Sequence, residues 1–175
     1  MINDDWNYSR IELDEAQNTN DESRLRLLST HPSKFVRAQV AGNRHSPRAL
    51  RESLSLDSAK GVIVWLISNP SLTKEEFDGI YLTAQKESSG SIITQALASS
   101  QLADMMQLHQ LTRDHNWCIK LEILNNHVGR GDDYKQLIEQ YLAKEGTRSK
   151  NWDEIEKLAY FRIFNIRYPP DDDSE

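Results

Sequence analysis

The chain is predicted to be all-α, built from about five antiparallel helix pairs that stack on one another. Three observations predict this. Leu, Ala, Glu, Gln, Lys and Arg are abundant, and only 7 Gly and 5 Pro interrupt the 175 residues. A stretch running S-K-F-V-R-A-Q-V-A-G-N, from Ser33 to Asn43, has a second copy 26 positions on, closing at Asn69, with weaker copies after it. Each copy is too short to bury its own apolar stripe, so neighbouring copies must cover one another.

Taken in order, residues 1–20 read as an acidic, irregular arm. Asp4, Asp5, Glu12, Asp14 and Glu15 stand against Arg10 alone, while Trp6, Tyr8, Ile11 and Leu13 give it apolar side chains with which to pack on the first helix. The repeat domain then spans 21–167. Asp21 is placed to cap a helix carrying Leu25, Leu27 and Leu28, and Pro32 ends it. Ser33 caps the next helix, where Val36 and Val40 share one face beside Phe35 and Ala41. Asn43 is expected to stop that helix in a left-handed conformation.

The second pair repeats the plan. Ser46 is expected to cap a helix with Pro47 at its first position, and Leu50 and Leu54 form its stripe. Asp57 or Ser58 should start the partner helix of Val62, Leu66 and Ile67, which Asn69-Pro70 stops. Thr73 and Glu76 have the spacing of a capping box, ahead of Phe77, Ile80 and Tyr81, then Ile93 and Leu97. Met105, Leu108 and Leu111, then Ile119, Ile123 and Leu124, supply the fourth pair. Leu137, Ile138, Tyr141 and Leu142, then Ile155, Leu158, Ala159 and Phe161, supply the fifth. Pro169-Pro170 closes the array, and 168–175 read as a frayed acidic tail.

Aligned on Asn43, Asn69, Ser100 and Asn126, at offsets of 26, 31 and 26, the second helices share three apolar columns. Val36 matches Val62, Ile93 and Ile119; Val40 matches Leu66, Leu97 and Ile123; Ala41 matches Ile67, Ala98 and Leu124. The fifth copy puts Arg162 where a core residue is expected, as an end repeat with one wet face can.

The run F-V-R-A-Q-V-A-G-N, followed by S-P-R-A-L-R-E-S-L-S-L-D and V-I-V-W-L-I-S-N-P, resembles the leucine-rich repeat variant, an all-helical relative of the HEAT and armadillo repeats. The match covers 31–72 well and fades to a generic helical repeat towards 167. The resemblance implies a right-handed α-α superhelix, that is, a short α-solenoid. It implies a scaffold or binding surface rather than one activity. Some members carry an iron–sulfur cluster ahead of the repeats; Cys118 is alone and cannot supply one, so no cofactor is expected.

Composition narrows the function classes. The net charge of −6 disfavours sequence-independent nucleic-acid binding and suits a basic partner. The N-terminal M-I-N-D-D-W has neither a basic nor an apolar leader region, no run reaches bilayer length, and the lone cysteine fits a reducing compartment, so a cytoplasmic location is expected. His31, His45, His109, His115 and His127 have no metal-binding spacing and read mostly as helix-end residues. Arg130-Gly131-Asp132 reads as a glycine turn before an aspartate cap.

No catalytic constellation is legible, and a non-enzymatic protein-binding module is expected. Its inner face would present Arg37, Trp65, Gln95, Trp117, Lys120 and Glu122. Trp65 and Trp117 stand in columns that hold polar residues elsewhere, so they are candidate interface anchors. A narrower form is an acidic inhibitor or immunity-type protein that masks a basic toxin or enzyme. The other candidate site is a basic block, Lys34, Arg37, Arg44, His45, Arg48 and Arg51, with no acid between its ends. It would suit a carboxylate-rich peptide, a phosphate or nucleic acid, as in the basic concave face of the alkylpurine DNA glycosylases. Otherwise it is a solvated rim or a partner for the acidic arm.

Overall fold

Helix starts follow from side chains that satisfy the orphan amides of a first turn. In the computed structural model, which describes residues 9–86, 92–111, 119, 122, 123, 126 and 127, eight helices are bounded, five of them starting on such a cap. They are α1 (Arg10–Asn18), α2 (Glu22–Ser29), α3 (Lys34–Gly42), α4 (Arg48–Leu54), α5 (Lys60–Ile67), α6 (Lys74–Ala84), α7 (Ile92–Ser99) and α8 (Met105–Leu111). Residues 119, 122, 123, 126 and 127 are also helical. No strand occurs among the described residues, and no helix among them is long and apolar enough to cross a membrane. The fifth pair and the tail, with Cys118 and the Arg130-Gly131-Asp132 tripeptide, lie outside the described residues.

Three expected caps form. The Asp21 carboxylate accepts from the amides of Ser23 and Arg24. Ser33 Oγ accepts from Phe35 N. Thr73 and Glu76 make the full capping box. Asp104 and Gln107 make a reciprocal pair of the same kind before α8, with Gln107 N at 2.9 Å from Asp104 Oδ1 and Asp104 N at 3.0 Å from Gln107 Oε1.

Several starts and stops differ from expectation. The acidic arm is not irregular over 10–18. Ser9 and Glu12 form a capping box that starts α1, and Ala16 is fully buried. Pro47, not Ser46, stands at the N-cap of α4, and no side chain caps it. Ser46 Oγ instead donates to Val40 O at 2.5 Å. Helix α5 begins at Lys60 with Ala59 as its N-cap, because Asp57 spends its carboxylate on Arg37 and on the Ala59 amide. Leu27 is exposed rather than core, 60% accessible. Asn43 does stop α3, but in extended backbone, at φ −70° and ψ 123°.

The helices pack in a fixed order. α3 lies on both α1 and α5, and α5 lies on α7. α2 and α4 touch each other and flank α3. The aligned apolar columns face this interior: Val36, Val40, Val62, Leu66, Ile93, Leu97, Ile119 and Ile123 are all 0–2% exposed. Each such side chain contributes about 1.5–3 kcal/mol by leaving water.

What joins neighbouring helices of the α1–α3–α5 row is polar. Asn43 Nδ2 donates to Ala16 O at 3.0 Å and Thr19 O at 2.9 Å, both at the end of α1. Asn69 Nδ2 donates to Ala41 O at 2.7 Å and Asn43 O at 2.8 Å, at the end of α3. Each carboxamide oxygen accepts a local amide, from His45 and Ser71 respectively, both at 2.8 Å. A buried asparagine thus closes one helix and caps the carbonyl end of the helix before it. The rung changes at Ser100. One repeat later His127, fully buried, places Nε2 2.7 Å from Ala98 O. A carbonyl only accepts, so this nitrogen carries the proton.

Replacing Asn69 by Ala takes the Asn69 bond from Ala41 O and from the Ser71 amide and leaves Asn43 O with the Ser46 amide alone. Asn69→Ala is expected to cost about 3 kcal/mol and to lower Tm by roughly 6–12 °C. Ser71→Ala, which removes one hydroxyl bond to Arg44 O, should cost under about 1 kcal/mol. Thermal unfolding of both variants measures the difference; equal losses would refute the role given to Asn69.

Candidate binding surface

Half of the first candidate, the basic block, is engaged in ion pairs. Arg37 donates to both carboxylate oxygens of Asp57, at 2.6 and 3.0 Å, and to His31 O and Pro32 O, each at 2.9 Å. Burial pushes the Asp57 carboxyl up, but the Arg37 hydrogen bond and the Ala59 amide outweigh it and hold the group below the usual aspartate range. Arg51 is buried and donates to both oxygens of Glu76, at 3.0 and 3.1 Å, and to Ser46 O at 2.6 Å. Arg48 is exposed between Glu52 and Glu75, at 2.7 and 3.1 Å. Lys34 sits 5.4 Å from the Phe35 ring centre. Arg44 and His45 are exposed. Three of the four arginines therefore face carboxylates from the same chain.

Two carboxylates of the acidic arm have partners outside this block. Glu15 pairs with Arg24 at 2.6 Å, and Glu12 lies 3.7 Å from His31. Glu15 therefore ties α1 to α2.

The second candidate is the solvent face of α3, α5 and α7. Arg37 belongs to the Asp57 clamp and is largely covered, its side chain 16% exposed. Trp65 is 45% exposed on α5. Gln95 is partly buried on α7. Glu122 is partly buried and accepts from Asn126 Nδ2 at 2.9 Å. Trp117 and Lys120 lie outside the described residues.

Trp65 is held in place by a feature missed at the level of sequence. The Cε3 edge of its six-membered ring abuts Gly42, the last residue of α3. A β-carbon added at Gly42 would come within 2.8 Å of Trp65 Cε3. The glycine ending the A-G-N motif thus seats an indole from the next repeat, and the signal was the coincidence of one glycine and one tryptophan in neighbouring copies. With its Cε3 edge packed on Gly42 and 45% of the residue in solvent, the indole is a half-exposed, pre-ordered apolar surface. Phe35 on α3 and Ile92 on α7 are also exposed, at 36% and 51%. In the Trp65 column, Gln39 buries its Oε1 with no hydrogen-bond partner, and nothing in the structure accounts for it. Among the described residues no group of His, Cys, Asp and Glu could hold a metal ion.

Two outcomes follow from these contacts. Gly42→Ala should destabilise the protein by about 1–2 kcal/mol, because overpacking against the indole exceeds the helix propensity gained. In a Trp65→Ala background the same change should stabilise, and a double-mutant cycle by denaturant unfolding reads that change of sign.

Glu76 supplies a pH dependence. Burial raises its pKa, but Arg51 and the Thr73 amide and hydroxyl outweigh burial and lower it overall. Its stabilisation is therefore fully present above the unfolded glutamate value and is lost as pH falls through the lower, folded value. Glu76→Gln should cost about 3 kcal/mol at neutral pH and flatten the acid limb of a stability–pH curve, while Glu75→Gln, at an exposed carboxylate, should leave that limb unchanged.

No family model, no curated protein and no solved structure matches the chain.

Proposed function

We propose that the chain is a non-enzymatic protein-binding scaffold of the leucine-rich-repeat-variant type, in which the stacked pairs form a short right-handed superhelix and a protein or peptide partner lies across the face of α3, α5 and α7. The observation that carries this reading is Trp65, 45% exposed yet seated on Gly42. A large ring held in one orientation loses little freedom on binding, which is what makes tryptophan an effective interface anchor. The row of parallel contacts α1–α3–α5–α7 supports the superhelix, and the repeat period supports the family type.

The net charge of −6 favours, as a second reading, an inhibitor that masks a basic enzyme or toxin. Nucleic-acid binding is the weaker alternative, because Arg37, Arg48 and Arg51 already face carboxylates.

Selection of binders from a displayed random-peptide library tests the first reading. Peptides that bind should shift the tryptophan emission, lose about tenfold or more in affinity against Trp65→Ala, and keep their affinity against Leu56→Ala, an exposed apolar side chain after α4. Selected peptides indifferent to Trp65→Ala would overturn it. Binding that weakens steeply with added salt would favour the inhibitor reading instead.

A further inference from the structure

The junction of α3 and α5 shows how this chain fills the space between two successive helices of the row. Trp65 packs its ring edge against Gly42. Asn69 bridges Ala41 O and Asn43 O. At the same register between α5 and α7, 26 residues on for the helix behind and 31 for the helix in front, both fillers are missing. Ala96 stands in the place of Trp65, Ser68 in the place of Gly42, and Ser100 in the place of Asn69.

The consequence is an open groove of about 360 Å³, lined by Ile67, Ser68, Asn69, Ala96, Ser99 and Ser100 among others. Ser100 does not replace the missing rung. Its Oγ accepts from Leu102 N at 3.3 Å, on its own side of the groove. Among the described residues no side-chain donor reaches Ile67 O or Asn69 O, the counterparts of the two carbonyls that Asn69 bridges one repeat earlier. Asn69 O accepts the Leu72 amide at 3.0 Å and keeps a second lone pair, as Asn43 O accepts the Ser46 amide beside the Asn69 carboxamide.

We propose that this groove is a binding site for a peptide segment of a partner protein that presents an asparagine or glutamine carboxamide beside a flat apolar side chain. The proposal rests on the scaffold reading and names the chemistry its partner must bring. The preceding junction supplies the pattern: one NH2 group donates to two helix-end carbonyls, while a ring packs its edge against a small residue of the helix behind. An ammonium could also donate to carbonyls, but among the described residues no charged one lines this groove. A lysine would lose its hydration there without gaining a counter-charge, whereas a neutral carboxamide loses far less.

The experiment uses the full chain, isotopically labelled for amide NMR, titrated with the dipeptide N-acetyl-tryptophanyl-asparagine amide. The expected result is weak, saturable movement of the amide signals of Ser68, Ser99, Ser100 and Gln101. Replacing the probe's asparagine by aspartate should weaken binding on the order of tenfold. Ser100→Asn should fill the site from within, abolishing the response and raising Tm; Ala96→Trp should abolish the response by occupying the ring site. A response that survives both variants would overturn the proposal, as would an aspartate probe that binds equally well or a Ser100→Asn protein that melts no higher than the parent. Peptide binding that moves the signals around Trp65 and leaves the groove signals still would overturn this site while the scaffold reading stands.

Discussion

The structure depends on buried carboxamides that tie one helix to the next. Apolar burial holds the helices together but is indifferent to small slides along their axes. Asn43 and Asn69 are not indifferent. Each places one NH2 group on two carbonyls of the preceding helix end, at 2.7–3.0 Å, from a side chain only 2% and 4% exposed. A slide of one residue would strand these groups in the interior, at a cost of several hydrogen bonds. Asn43 takes part in two rungs, donating through its side chain to α1 and accepting at its carbonyl from Asn69. The helix-end hydrogen bonds are therefore linked from one repeat to the next, and the seat of Trp65 on Gly42 depends on the spacing they set.

Charge plays a supporting part. Arg37–Asp57 ties α3 to the segment ahead of α5, and Arg51–Glu76 ties α4 to the first turn of α6. Both arginines also donate to backbone carbonyls in loops, His31 and Pro32 for one and Ser46 for the other. A guanidinium suits this work because its fork meets a carboxylate with two bonds and keeps a third nitrogen for a carbonyl. Two members of the basic block, Arg37 and Arg51, are thus built into the joints between pairs, while Arg44, His45 and Arg48 stay exposed.

Local signals were legible and long-range ones were not. The Asp21, Ser33 and Thr73 caps were readable because cap and recipient lie within three residues. The Val36, Val62, Ile93 and Ile119 column was readable because helical periodicity marks the buried face. Asn43 was legible as a helix stop, but its backbone is extended and its side chain works on residues 24 and 27 positions earlier. Nothing local announces such a bond. Arg37 looked available for the same reason: its counter-charge lies 20 residues downstream. Helix α1 was obscured by a surplus of carboxylates, although Ser9 and Glu12 carry the spacing of a capping box. Trp65 was legible as exposed, from its polar column mates, but its seat on Gly42 was not.

Hydrogen exchange at the side-chain NH2 groups tests the central role of the asparagines most directly. The account predicts that those of Asn43 and Asn69 exchange orders of magnitude more slowly than that of Asn18, which is exposed at the end of α1. Their protection should match that of the backbone amides in the middle of α3 and α5. Exchange of the Asn43 and Asn69 groups at the rate of Asn18 would contradict it.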